Sequence, residues 1–116
     1  MNCSKHPKYS IAGSTETYRT TKMVEKVIQD FANAHPEMSV KDMIDTWNRI
    51  SGRKDLLIDS YEKSPNDKSS TPRRTEITWN NKSVWVVTGW TAELGQLFAN
   101  NVKEKLGIEI VKVNFE

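Results

Sequence analysis

The side chains with ligating or nucleophilic chemistry are few in this chain and far apart. Cys3 is the sole cysteine, and His6 and His35 are the two histidines. Thiolate and imidazole are good soft-metal ligands, but Cys3 and His6 supply only two, which do not close a site. His35 stands a whole helix away, where a cationic ring would complement a helix C-terminus. Asp42, Asp45, Asp55 and Asp59 are the acids that a metal or nuclease cluster would need. Asp42 and Asp45 are three apart and share a helix face, but it is the face turned away from Val40, Met43 and Trp47, so it reads as solvated surface. Gly13, Gly52, Gly89, Gly95 and Gly107 are scattered and open no phosphate-loop or dinucleotide pattern. Gly89 lies between a strand and a helix N-terminus, a place that can hold an anion, although making the turn is the plainer role. No catalytic residues, metal ligands or cofactor are expected.

Binding chemistry is better represented. Of the four tryptophans, Trp47 continues a helical apolar stripe and Trp85 has apolar strand neighbours, so both are expected in the core. Trp79 flanks a turn and Trp90 opens a loop, which makes these two the candidate anchors for a partner. Arg53, Lys54, Arg73, Arg74 and Lys82 are the candidate nucleic-acid contacts, since cations beside exposed indoles meet phosphates while the rings stack on bases. Asp55, Asp59, Glu62, Asp67 and Glu76 thread through the same region and dilute that field.

Hydrophobic spacing indicates which elements position these groups. Val24, Val27, Ile28 and Phe31 fall at i, i+3, i+4 and i+7, predicting a helix that starts near Thr20 or Thr21 and closes before Pro36. A second helix is predicted from Ser39 as N-cap, through Val40, Met43, Ile44 and Trp47, to Ser51-Gly52. The two form an αα-hairpin. Residues 55–61 are apolar but short and lean towards a strand, while 62–73 have nothing to bury and predict a mobile loop. From Arg74 the period becomes two: Thr75, Ile77 and Trp79 lie on one side, Asn80-Asn81 turns the chain, and Ser83–Thr88 returns as the second strand of a β-hairpin. That second strand is apolar on both faces and is expected to be central. Thr91 can cap a third helix whose stripe is Leu94, Leu97, Phe98, Val102 and Leu106, ended by Gly107. Alternating residues 108–115 predict a last strand, and the strand, helix, strand order permits a right-handed crossover placing it parallel to Val84–Thr88. Residues 1–19 are polar and predict a flexible N-terminal arm.

The expected class is therefore α+β: an N-terminal helical hairpin, a β-hairpin, a helix and a terminal strand, with three helices packed on a small mixed sheet. Its 116 residues suit one domain, here residues 20–116, and suffice to fold without disulfides or a structural metal. No apolar run approaches the roughly 20 residues needed to span a bilayer, and the first residues lack a secretory h-region. With a single cysteine, a reducing, cytoplasmic setting is expected. A net charge of +2 with interspersed signs names no partner by field alone.

From Lys22 to Val113 the layout resembles small uncharacterised α+β domains of bacterial and phage proteins, some associated with defence systems. The residues that carry the resemblance are His35-Pro36-Glu37-Met38-Ser39, Arg73-Arg74, and Val84-Trp85-Val86-Val87-Thr88-Gly89-Trp90, followed by Phe98 and Leu106-Gly107-Ile108. That pattern has a Trp-Gly pair followed by Asn, whereas Trp90 is followed by Thr91-Ala92, and no site residues carry over. The expectation is a small non-enzymatic interaction protein of bacterial or phage origin, binding a protein partner or itself and not a membrane. The alternative is a nucleic-acid-binding accessory or regulatory protein.

Overall fold

The structure, a computed structural model, describes residues 8–12, 15–51, 53, 55–59, 74–88 and 90–113. The chain divides into two compact units, Met1–Val27 with Trp90–Glu116, and Ile28–Gly89. The division falls within the first helix, α1 (Thr20–Ala34).

In the first unit, β1 (Lys8–Ile11) lies between β2 (Tyr18–Arg19) and β6 (Ile110–Val113), antiparallel to both. Tyr9, Ile11 and Ile110 point to one face and are buried, as are Phe98, Ala99 and Val102 of α3 (Ala92–Leu106). Thr91 caps α3 as its spacing predicts: its Oγ1 accepts from the Leu94 N–H at 3.1 Å. Gly107 ends it in the left-handed region at φ 73°, its N–H donating to the Lys103 carbonyl at 3.0 Å. Gly95 is required by close approach, because a Cβ there would collide with Thr20 Cγ2 and sit 3.4 Å from the Tyr9 hydroxyl. That hydroxyl is buried with no partner in hydrogen-bond geometry. Desolvation raises the phenol above its ordinary 10.0, an effect that neighbouring Thr20 tempers.

In the second unit, α2 (Val40–Ser51) packs on β3 (Leu57–Ile58) and on β5 (Lys82–Val87). β5 is central, flanked by β3 and by β4 (Arg74–Trp79), and antiparallel to each. Ser39 caps α2, its Oγ accepting from the Asp42 N–H at 3.1 Å. Asn80 and Asn81 take positive φ, 45° and 64°, which gives the hairpin a turn whose twist matches its strands. Leu57, Val86, Ile77 and Val84 fill the inner face of the sheet.

The α+β class and the hairpin agree with the sequence reading; three features differ. Residues 8–11 and 18–19, expected in a flexible arm, are strands, because Tyr9 and Ile11 alternate inward in a stretch whose Lys8 and Ser10 disguise the pattern. There is no single mixed sheet: the described strands form two antiparallel sheets. β6 pairs with β1 instead of lying parallel to β5, both of whose sides are already taken by β3 and β4. Of residues 55–61 only Leu57–Ile58 are strand among the described positions. The expected loop at 62–73 lies outside the described residues.

Candidate functional site

Two of the side chains proposed for nucleic-acid contact, Arg74 and Lys82, donate to main-chain carbonyls of the fold. Arg74 is 12% exposed. Its Nη1 donates to the carbonyls of Leu56 and Trp85 at 3.3 and 3.2 Å, and its Nη2 donates to that of Asp55 at 2.9 Å. The guanidinium thus braces β4 against β5 and the approach to β3, with the exposed Asp55 carboxylate a peripheral 3.9 Å away. Lys82 Nζ donates to the Pro36 carbonyl at 3.2 Å, beside Asn80 Nδ2 at 3.0 Å on the same oxygen. Arg53 is half-buried after α2. Lys54 and Arg73 lie outside the described residues, as do Cys3, His6, Gly52 and Gly89. Arg74 and Lys82 are thus both held by main-chain carbonyls of the fold.

Trp79, expected as an exposed anchor, is 4% exposed. Its Nε1 donates to the Met38 carbonyl at 3.0 Å, so the hairpin tip and the α1–α2 connection are tied by Trp79, Asn80 and Lys82 together. Trp47 is fully buried, edge-on to Phe31 with centroids 5.3 Å apart. Trp85, expected in the core, is half-buried on the outward face of its sheet, in register with Ile58 and Glu76. Period two forces this, since Val84 and Val86 claim the inner face.

His35 follows α1, stacked on Phe31 at 4.1 Å with Nδ1 2.8 Å from the Phe31 carbonyl. Asp42 and Asp45 are exposed on α2, and Asp45 pairs with Lys41 at 3.4 Å. No cluster of three His, Cys, Asp or Glu side chains suited to a metal occurs among the described residues. An open, mostly polar cleft of about 540 Å³ lies along the hairpin, lined among others by Asn33, Glu76, Thr78, Asn81 and Ser83.

Trp90 is half-buried, with its ring edge-on to Phe98 at 5.5 Å. At about 100° per residue, Leu94 falls between Phe98 and Leu97 around α3. Leu94 is half-buried and Leu97 is 51% exposed. Leu94 and Leu97 therefore make an apolar flank on α3, with Trp90 just before the helix start and packed on Phe98, and Glu93 and Glu104 are exposed on the side of Leu97 away from Leu94. Leu97 was expected in the buried stripe; Gly95, Phe98, Ala99 and Val102 already complete that stripe without it. Two small residues at 95 and 99 on the face of Phe98 were the available signal that this face, and not that of Leu97, meets a close neighbour.

No protein family, curated protein or solved structure matches this chain. Among the described residues no helix is long and apolar enough to cross a membrane.

Proposed function

We propose that this chain is a non-enzymatic interaction protein that binds a protein partner through the α3 flank of Trp90, Leu94 and Leu97. The observation that carries the reading is Leu97, an aliphatic side chain left 51% exposed on a helix that has a complete buried stripe without it. Scattered surface leucines are ordinary, but this one continues an apolar border that begins at a tryptophan, the residue type that most often anchors an interface. The exposed carboxylates of Glu93 and Glu104 favour a partner whose apolar pocket has a basic rim. Direct nucleic-acid binding is less well supported, because Arg74 and Lys82 already donate to carbonyls of the fold.

The test is affinity capture from the native host with the wild-type chain and Leu97→Arg side by side. Burial of a leucine contributes roughly 1.5–3 kcal/mol, so retention of the true partner is expected to fall tenfold or more in the variant while its circular dichroism is unchanged. Equal capture by both proteins refutes the assignment of this surface.

A further inference from the structure

Beyond this surface, the edge of the β3-β5-β4 sheet carries a device of its own. Among the described strands β4 is an outer one. Trp79 and Lys82 close the two-residue turn, so the main-chain groups of Trp79, Ile77 and Thr75 face β5 and those of Thr78, Glu76 and Arg74 face outward. At Thr78 the outward pair is occupied by a side chain. Gln29 Nε2 donates to the Thr78 carbonyl at 2.6 Å, and the Thr78 N–H donates to Gln29 Oε1 at 3.4 Å. This is the two-bond exchange that a residue of an adjoining antiparallel strand makes. Gln29 Nε2 also donates to Asn33 Oδ1 at 3.0 Å, which fixes the amide from the helix side.

We infer that Gln29 is an edge cap, a side chain standing in for a strand, that keeps β4 from pairing with β4 of a second copy of this chain. Outer strands with open N–H and C=O groups recruit other strands, and natural sheets block them. Symmetry limits how two β4 strands can pair. A two-fold antiparallel register centred on Glu76 sets two carboxylates directly opposite, which is unfavourable. The register centred on Ile77 avoids this by pairing Glu76 with Thr78 of the second copy, and it needs the Thr78 groups that Gln29 holds. Of these two registers, the carboxylate disfavours one and the amide closes the other.

The experiment compares wild type, Gln29→Ala and Gln29→Ala/Glu76→Pro by amide exchange and sedimentation velocity over a hundredfold range of concentration, with circular dichroism as the control for folding. Alanine suits the helix, and proline at 76 removes the outward N–H that either register needs, along with the carboxylate, while an edge strand tolerates it. Exchange of the Thr78 amide is expected to accelerate tenfold or more in Gln29→Ala. That variant should also form a dimer at concentrations where wild type does not, and the added proline should abolish it. Any self-association by wild type is subtracted, so an interface on α3 does not interfere. The inference is overturned if Thr78 exchange is unchanged, if the exposed edge produces no added association, or if the association survives the proline.

Discussion

Replacing Arg74 by methionine tests whether this side chain is a strut of the fold or a surface cation. Methionine keeps the aliphatic stem and removes three charge-assisted hydrogen bonds, to the carbonyls of Leu56, Trp85 and Asp55. Bonds to a charged donor contribute roughly 1.5–3 kcal/mol each, but the full sum overstates the loss. Leu56 O still accepts from the Val87 N–H at 3.2 Å, and Asp55 is exposed, so water replaces the guanidinium there. A net cost of about 2–3 kcal/mol remains, which for a chain of this size lowers Tm by about 8–12 °C. Urea unfolding followed by tryptophan fluorescence reads it directly. Asp55→Asn should cost under about 0.5 kcal/mol, since its carboxylate is 68% exposed and 3.9 Å from the guanidinium. Added salt should change little, because the principal acceptors are uncharged carbonyls. If Arg74→Met unfolds at the same urea concentration as wild type, or if Asp55→Asn is equally damaging, the strut argument fails and Arg74 returns to the pool of surface cations.

Two further outcomes are expected. Gly95→Ala should destabilise by about 1–3 kcal/mol despite alanine's better helix propensity, because its Cβ meets Thr20 Cγ2. Thr20→Ser, which lacks that methyl, should recover most of the loss in the double variant, and simple additivity in a thermal-unfolding cycle would contradict the contact. Burial raises the Tyr9 phenol above 10.0, so above pH 10 the unfolded chain loses its proton first and stability falls as pH rises towards the folded-state value. Tyr9→Phe should be nearly neutral at pH 7, where no well-formed hydrogen bond is lost, and should flatten the decline above pH 10. An unchanged slope in urea titrations would place the responsible group elsewhere.

The local rules in this sequence were legible because they depend on a few neighbouring residues. Ser39 and Thr91 as caps, Gly107 as terminator, Asn80-Asn81 as a hairpin turn and the helical stripes all follow from side-chain geometry within one or two turns of chain. Pairing partners were not legible. β1 is four residues long, too short for its alternation to stand out from a polar arm, and it becomes a strand because β6, about a hundred residues later, supplies the opposing ladder.

The candidate surface divides in the same way. Trp90 stands out by its place in the sequence, whereas the exposure of Leu97 depends on which side of α3 finds neighbours. Arg74 and Lys82 read as free cations because a sequence displays charge but not the carbonyls folded beneath it. The sequence alone determined where helices and turns begin and end, through short-range sterics and capping. Only the tertiary structure decided which strands meet, which tryptophan is covered and which cations are already held, because those outcomes depend on contacts between residues distant along the chain.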